Sequence, residues 1–468
     1  MVERSPMSLI DDIGAVYIAP DRVLRAINDA KIPEVNALLG SGLIETLTRA
    51  KLFPRTIVSS NPIPGHSLVL EHELITPTTY PNEWSPEMLR RASQCVLRVN
   101  EIASTYGYEL KDAHPHNLMF RGLQPVFVDF GSLIPIDGRP GWRAENEFRQ
   151  CYLRPLALYR TGLHWSFKRA FLGDGSGLPL PEYLLMRYPP LRLLGRGPLE
   201  KMAKYWRAYK NPRILTSQLI EDELRSDVLR RLARFVSRSK WLPFRQRNQR
   251  KLAKKLEALK PASHTTWGDY HNELIGADGK IKLTPRFQRI AEIVSSLQPS
   301  TILDLAGNQG ALARSLAEFP TVERVICADY DERAIDLLVE HATPEERICP
   351  VAFNLMGDSS PAETESRQMR LKSDVVLALA VTHHLILTQK FALTAVLETL
   401  AKFSRGYVLV EFMPLGLHNG TSAPPLPDWY TSDWFEAGMQ RTFDMVGKEI
   451  LEENRVLYIG KLRAASSS

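Results

Sequence analysis

From Pro285 towards the end of the chain, short apolar runs alternate with stretches whose apolar positions recur every three or four residues. Short apolar runs bounded by polar residues indicate buried strands, and the longer repeat indicates helices. The predicted strands are Thr301–Leu303, Val325–Ala328, Ile348–Phe353, Asp374–Val381, Tyr407–Glu411 and Arg455–Lys461, the last of them antiparallel. The predicted helices are Pro285–Leu297, Leu312–Phe319, Ile335–His341 and Lys390–Phe403. This alternation predicts an α/β domain with a mostly parallel sheet.

The first half of the chain has a different pattern, which predicts an α+β domain. Residues 14–27 form a predicted hairpin whose two apolar runs meet at Pro20–Asp21. A helix over Val35–Lys51, a strand over Ser67–Thr76 and a helix over Ser85–Tyr106 follow. Residues 134–220 contain aromatic and apolar helical patterns, which indicate the helical remainder of the same domain.

The stretch from Ser300 to Asp331 has the order strand, tight turn, helix, strand, acid. Asp304 ends the first strand, small residues dominate the turn Ala306–Gly310, and Asp329 ends the second strand. Small residues allow a backbone to approach a ligand closely, and an acid after the second strand can bind ribose hydroxyls. This order is therefore typical of a unit that holds an adenosine-bearing cofactor.

The turn resembles motif I of class I S-adenosylmethionine-dependent methyltransferases, D-x-G-x-G-x-G, with Asp304, Ala306, Asn308 and Gly310 in its four places. The resemblance implies a Rossmann-like domain with S-adenosylmethionine as cofactor. The cofactor-binding residues that it implies are Asp304, Ala306, Gly307, Asn308, Gly310, Asp329 and Tyr330, the last packing on adenine. The alternative is an ordinary strand–helix turn in another α/β domain. The dinucleotide fingerprint G-x-G-x-x-G is absent.

Two adjacent histidines, His383 and His384, follow the apolar run Asp374–Val381. In the methyltransferase fold the carboxyl end of this fourth strand faces the methyl group. A neutral imidazole can act as a general base near pH 7, so both histidines are candidate catalytic residues. The alternative is that one of them caps the strand by bonding to the backbone. Glu411, at the end of the next strand, is a weaker candidate.

A second motif lies in the first half, in the segment LKDAHPHNLMFRGLQPVFVDFGSL from Leu110 to Leu133. It resembles the catalytic loop and D-F-G segment of protein kinases and aminoglycoside phosphotransferases. The resemblance implies that Asp112 faces the acceptor hydroxyl and that Asn117 and Asp129 bind Mg²⁺, with ATP as a second cofactor.

The sequence that precedes this segment differs from that of the kinase family. A Gly-rich phosphate loop and a V-A-I-K lysine are both absent from the preceding sequence. Arg25 is the nearest candidate for the missing cation, with Glu45 as its partner. A kinase-like domain that binds metal but has altered its nucleotide contacts is therefore as consistent with the sequence as an active one.

Composition narrows the class of protein further. Of 468 residues, 44% are hydrophobic and 24% charged, as in soluble globular proteins. The four cysteines form no C-x-x-C pair, which argues against a zinc site and a disulfide framework and fits a reducing compartment. The first residues lack the apolar core of a signal peptide, and no apolar run is long enough to span a membrane. We expect a cytoplasmic protein.

Residues 229–260 carry the basic character of the chain. They contain twelve Lys or Arg and one carboxylate, a contribution of +11, whereas the whole chain has a net charge of +6. A basic amphipathic segment can lie on an anionic membrane surface or bind polyanions. The alternative is a solvated interdomain helix with one packed apolar face. No nucleic-acid-binding motif accompanies the segment, and a nucleic-acid partner is not expected.

Several further segments, among them YPNEWS, LALAVTHHL, VLVEFMPLG and ENRVLYIG, resemble a bacterial group of methyltransferases that includes host-specific nodulation proteins of rhizobia. The resemblance implies a kinase-like domain at residues 1–220, a basic helical linker at 221–262 and a class I methyltransferase domain at 263–468. The implied function is methyl transfer to a saccharide or related small metabolite, in nodulation or in modification of surface or signal glycans. The alternatives are a bifunctional kinase-methyltransferase and a non-catalytic regulatory protein that binds nucleotide and S-adenosylmethionine.

Overall fold

The computed structural model describes residues 3–5, 12–137, 141–171, 177–200, 203, 242–260, 265, 273–275, 281–357, 365–418 and 424–463. The chain forms two compact units. The first unit comprises Met1–Asn82 and Pro86–Ala262, and the second comprises Glu83–Ser85 and Ser263–Ser468. Three residues that precede helix Pro86–Thr105 therefore belong to the second unit.

The first unit begins with a five-stranded antiparallel sheet of order β1-β2-β3-β5-β4. Its strands are β1 Glu3–Arg4, β2 Gly14–Ile18, β3 Arg22–Ile27, β4 Thr56–Val58 and β5 Val69–Glu73. Strands β2 and β3 are the predicted hairpin. The prediction of a single helix over Val35–Lys51 is wrong, because the segment contains two helices, α1 Ile32–Gly40 and α2 Leu43–Arg49. Gly42 separates them with a left-handed φ of 78°, which glycine adopts without steric cost.

The long helix α3 Pro86–Thr105 confirms the prediction, and two short hairpin-like pairs follow it. Strand β6 Tyr108–Leu110 pairs with β9 Leu133–Pro135, and β7 Leu118–Arg121 pairs with β8 Gln124–Phe127. The remaining helices described in this unit are α4 Glu145–Phe148, α5 Arg154–Tyr159, α6 His164–Arg169, α7 Leu180–Arg187 and α8 Leu242–Glu257.

The basic segment is described only from Leu242 onwards, and its predictions for residues 229–241 lie outside the described residues. Helix α8 packs against α3 with Leu252 and Leu256 fully buried. Lys251, Lys254 and Lys255 are exposed. This is the arrangement expected of a helix with one packed apolar face, and association with an anionic membrane stays a prediction. None of the helices in the described ranges is long and apolar enough to cross a membrane.

The second unit is built on a seven-stranded sheet of order β12-β11-β10-β13-β14-β16-β15. The strands are β10 Thr301–Leu305, β11 Arg324–Asp329, β12 Ile348–Ala352, β13 Ser373–Ala378, β14 Ser404–Phe412, β15 Phe443–Glu452 and β16 Arg455–Leu462. The five strands β10 to β14 are parallel, and β16 is antiparallel to both of its neighbours. The helices are α9 Pro285–Ser296, α10 Ala311–Leu316, α11 Glu332–His341, α12 Arg367–Arg370, α13 Leu393–Phe403 and α14 Ser432–Thr442.

All six predicted strands of this unit are present, and the last one is antiparallel as expected. The sequence reading missed helix α14 and strand β15, which forms the edge of the sheet. Exposed and half-buried residues alternate along β15, so it lacks the continuous apolar run that marks β10 or β12, where every residue is buried. A strand covered on both faces, such as β12, is visible as such a run, whereas a strand with one face open to solvent, such as β15, is not.

Candidate active site

The parallel strands place two segments at the same edge of the sheet. The first is the motif I turn, Ala306–Gly310, and the second is the histidine loop, which follows β13 and carries His383 and His384. Residue pairing aligns Leu305 of β10 with Ala328 of β11 and with Ala378 of β13, and Ala378 with Val410 of β14. The residues that follow this row are therefore neighbours at the carboxyl edge. In open α/β sheets this edge, where the strand order reverses, is the place where ligands bind.

The turn after β10 keeps a glycine-like backbone although two of the motif's glycines are replaced. Ala306, Asn308 and Gly310 have φ angles of 60°, 52° and 74°, all in the left-handed region. Alanine in this region carries backbone strain of about 1 kcal/mol, and asparagine tolerates the region better than most residues. Ala306 and Asn308 thus adopt a backbone conformation that glycine adopts most easily.

Gly307 marks a position where no side chain fits. A Cβ there would lie 2.7 Å from Cys327 Sγ and 2.8 Å from Asp304 Oδ2. The Gly307 N–H donates to the carbonyl of Ala328 at 3.0 Å, which fixes the turn to the neighbouring strand β11. The turn therefore lies directly on the sheet and forms a backbone cradle above Asp304.

Asp304 and Asp329 are two neighbouring acids beneath this cradle. Burial, together with the negative charge of Asp329, raises the pKa of Asp304 to about 7. Burial raises the pKa of Asp329 to about 6, and the N–H groups of Asp331 and Asn308 limit that rise by donating to its carboxylate. Strongly shifted acids of this kind cluster at functional sites.

Backbone hydrogen bonds fix the carboxylate of Asp329 at the end of β11. Its Oδ2 accepts the N–H of Asn308 at 2.9 Å, and its Oδ1 accepts the N–H of Asp331 at 2.8 Å. The acid is thus joined to both the cradle and the start of α11. Tyr330, the predicted adenine partner, is 63% exposed and lines the same cavity.

A cavity of about 760 Å³ opens over these residues. All of the predicted cofactor residues except Gly310 line it, and so do both histidines. Its apolar walls include Phe353, Leu355, Leu379 and Met413. The volume and the mixture of apolar walls with a few converging polar groups are typical of a small-molecule site.

His383 and His384 lie side by side, with ring centroids 4.1 Å apart. His383 is 5% exposed, and its Nδ1 has no hydrogen-bond partner within the described part of the chain. Burial, with smaller contributions from His384 and Arg455, lowers the pKa of His383 to about 3. Burial also lowers the pKa of His384. Both rings are therefore neutral at pH 7, and His383 is a hydrogen-bonding group of low basicity.

Glu411 is held in an ion-pair network and is a poor candidate for a free base. Its side chain is fully buried, and Arg286 donates to it twice, at 2.6 and 2.7 Å. Arg455 donates at 3.2 Å, and the backbone N–H of Ala380 donates at 3.0 Å. The carbonyl of Glu411 also accepts the hydroxyl of Thr382 at 2.7 Å. Glu411 therefore anchors the loop that carries the histidines.

Sequence reasoning missed the two arginines of this network. Arg286 lies near the start of α9 and Arg455 at the start of β16, and both line the cavity. They are 125 and 44 residues from Glu411 in the sequence. Charged residues at helix and strand starts are common on protein surfaces, so no local pattern distinguishes these two.

The predicted residues of the first unit also come together. The N–H of Val128 donates to the carbonyl of Asn117 at 2.8 Å, which places Asn117 beside Asp129. Burial raises the pKa of Asp129, and the opposing effect of Arg25 shows that this guanidinium lies near it. The predicted pairing of Arg25 with Glu45 is wrong, because Glu45 bonds to Arg49 at 2.6 Å on the surface. The chain brings Arg25 to Asp129 instead.

Asp112 is bound to neighbours that the sequence did not indicate. Its Oδ1 accepts the N–H of His114 at 2.7 Å, and its side chain bonds to that of Glu147. Burial, followed by this bond to Asp112, raises the pKa of Glu147 to about 8. Within the described ranges, no group of three or more His, Cys, Asp or Glu is placed to hold a metal ion. The Mg²⁺ site at Asn117 and Asp129 stays a prediction.

The sheet order of the second unit and its antiparallel strand β16 agree with the class I methyltransferase fold that the sequence resemblance implies, and the two acids lie at the carboxyl edge of that sheet. No protein-family model matches the chain. Nodulation protein NoeA of Rhizobium meliloti (strain 1021) is 25% identical to it over 436 residues, which are 87% of this chain and 84% of that protein.

Similar solved structures match the chain over less than half of its length. The N-methyltransferase NodS from Bradyrhizobium japonicum WM9, in complex with S-adenosyl-L-homocysteine, is 15% identical with a TM-score of 0.31, and the match covers 43% of this chain and 100% of that one. The PH0226 protein from Pyrococcus horikoshii OT3 is 14% identical with a TM-score of 0.33, covering 42% and 99%.

Proposed function

We propose that the second unit transfers a methyl group from S-adenosylmethionine to a hydroxyl group of a saccharide or related small metabolite, in nodulation or in modification of surface or signal glycans. One observation carries this proposal. The cradle, the acid pair and a buried neutral histidine converge on one cavity from three adjacent strands. The likeness to a nodulation protein supports the biological setting.

The residues of the cavity fit the cofactor. Gly307 allows the turn to lie against Asp304 and Cys327, where any Cβ would clash, and Asp329 presents a carboxylate fixed by two N–H donors. Asp329 would bind the ribose hydroxyls, and Tyr330 and Phe353 would offer their rings to the adenine. S-adenosylmethionine, when bound, supplies an electrophilic methyl group. The backbone of Ala306–Gly310 would enclose the rest of the cofactor.

The burial and the neutral charge of His383 indicate how this residue would contact the methyl acceptor. Methyl transfer is an in-line displacement, so fixing the acceptor in the correct direction contributes most of the rate. A buried neutral imidazole with an unbonded Nδ1 can accept the proton of a hydroxyl in a hydrogen bond and orient its oxygen. Its low pKa makes complete proton transfer in the ground state unfavourable. We therefore assign His383 to orientation of the acceptor, with His384 beside it.

Transfer of label from methyl-labelled S-adenosylmethionine tests this function. We expect the full chain to label a neutral oligosaccharide from a panel that also contains protein, RNA and anionic lipid. His383→Ala should lower the rate by about 100-fold, because a misplaced acceptor can cost a reaction this much. Its matched control is His341→Ala, at the exposed end of α11. Labelling of protein or RNA alone, or an unchanged rate in His383→Ala, would contradict the assignment.

We further propose that the first unit binds Mg²⁺ and ATP through Asn117 and Asp129, with Asp112 facing the acceptor. The specific support is the buried Arg25 of strand β3, whose positive charge opposes the rise in the pKa of Asp129 and could contact phosphate there. His72, whose pKa is lowered to about 3 by burial and by Arg25, adds no competing positive charge there. Glu147, whose pKa is raised to about 8 and which bonds to Asp112, would lie on the acceptor side.

Thermal unfolding of the full chain with MgCl₂ and ATP tests the second site. A ligand at 100 times its Kd stabilises a domain by about 2.7 kcal/mol, which corresponds to a rise of roughly 5–10 °C in the Tm of the first unit. Asp129→Asn should abolish the rise, and Asp112→Asn should preserve it. No rise in the parent protein with Mg²⁺ and ATP, ADP or GTP would refute nucleotide binding.

A further inference from the structure

A buried charge cluster in the second unit includes a residue from the first hundred of the chain. Glu83 ends the short 3₁₀ turn Pro81–Glu83, and its side chain is fully buried. Arg367 Nε donates to its Oε1 at 2.7 Å. Arg370 donates to both carboxylate oxygens, at 3.0 and 2.8 Å. Glu83 thus holds both ends of helix α12 in place.

This cluster reaches the cofactor cavity through one aromatic ring. The guanidinium carbon of Arg367 lies 4.6 Å from the centroid of the Phe353 ring, a cation–π distance. Phe353 lines the cavity, and its N–H donates to the carbonyl of Asp329 at 3.0 Å. Glu83, Arg367 and Phe353 therefore form a continuous series of contacts that ends beside the proposed ribose acid.

We propose that Glu83 is a positioning residue for the cofactor site, acting through Arg367 on Phe353. The inference rests on the proposed binding of S-adenosylmethionine. A guanidinium has five N–H donors in a fixed plane, so the carboxylate that receives them also sets the orientation of that plane. The orientation of Arg367 in turn determines how Phe353 forms the wall of the cavity.

Glu83 is far from the rest of the site along the chain. Every other residue of the site lies after Pro285, more than 200 residues further along the chain. Residues 263–468 alone cannot supply the carboxylate that Arg367 and Arg370 contact. The methyltransferase site of this protein therefore depends on a segment that precedes the whole of the methyltransferase sequence pattern.

Calorimetric titration of the full chain with S-adenosyl-L-homocysteine provides the test. Glu83→Gln should weaken binding on the order of tenfold, since a residue one step removed from a ligand modulates affinity by about 0.5–2 kcal/mol. Glu87→Gln is the matched control, because Glu87 is also buried and receives two bonds of 2.6 Å from Arg90 but belongs to the first unit. We expect it to bind within about twofold of the parent.

A second variant separates positioning from loss of folding. Arg367→Lys keeps a cation for Glu83 but removes the planar group above Phe353, so it should also weaken binding while its Tm stays near that of the parent. A parent protein that fails to bind S-adenosyl-L-homocysteine would overturn the proposed function itself. A parent that binds, with Glu83→Gln and Arg367→Lys equal to Glu87→Gln, would overturn only the positioning role.

Discussion

Replacement of Asp329 by asparagine should weaken the binding of S-adenosyl-L-homocysteine to the full chain by roughly 10- to 150-fold, or about 1.5–3 kcal/mol. The carboxylate accepts N–H groups from Asn308 and Asp331 and, in the proposed complex, the ribose hydroxyls as well. An amide has only one oxygen, and its NH₂ group would face an N–H donor. Isothermal titration calorimetry measures the loss directly.

Asp374→Asn is the matched control for this change. Asp374 also accepts backbone N–H groups, from Ser300 at 3.1 Å and Thr301 at 2.9 Å, but it lies at the opposite, amino end of the parallel strands. Its substitution should leave the affinity within about twofold of the parent. Equal affinity of Asp329→Asn and the parent would remove the ribose role of Asp329 and with it the main support for the cofactor.

The pH dependence of the same titration gives a second readout. The pKa values of Asp304 and Asp329 are raised to about 7 and 6, so both acids take up protons as the pH falls from 8 to 5. A protonated carboxyl is a weaker acceptor for ribose hydroxyls, so affinity should fall over this range in the parent. The Asp329→Asn variant should lose the part of the dependence centred near pH 6.

Replacement of Glu411 by alanine should produce the largest loss of stability, on the order of 3–5 kcal/mol in the free energy of unfolding of the second unit. The change leaves Arg286 and Arg455, whose side chains are 10% and 14% exposed, without the carboxylate that they share. It also removes the acceptor of the Ala380 N–H. Urea unfolding, followed by separate probes for the two units, measures this effect.

Glu449→Ala is the control for Glu411. Glu449 also receives two bonds from one arginine, Arg289, at 2.8 and 3.2 Å, but this pair is 37% and 49% exposed. Water compensates for an exposed pair, so its loss should reduce stability much less than the loss of Glu411. If both variants lose the same stability, the buried ion pairs of Glu411 do not stabilise the histidine loop more than an exposed ion pair would.

The sequence alone determined the fold of the second unit from its most buried elements. Strands β10, β11 and β13 lie inside the sheet and appear as apolar runs, and Asp304 and Asp329 were predicted from their positions at the ends of β10 and β11. The motif I turn was recognised despite Ala306 and Asn308, because its spacing is fixed by the left-handed backbone that it must adopt. A local sequence pattern is sufficient to predict a feature when the physical constraint on that feature acts within a short stretch of the chain.

The electrostatics of the site follow from packing between residues that are distant in the sequence. His383 and Glu411 were both open candidates for a base, yet burial lowers the pKa of the first and two distant arginines engage the second. The partner of Arg25 was predicted as Glu45, whereas the fold places Arg25 near Asp129. Glu83 lies 284 residues from Arg367, the residue that it contacts. Desolvation and ion pairing depend on neighbours in space, and the order of residues along a chain does not specify those neighbours.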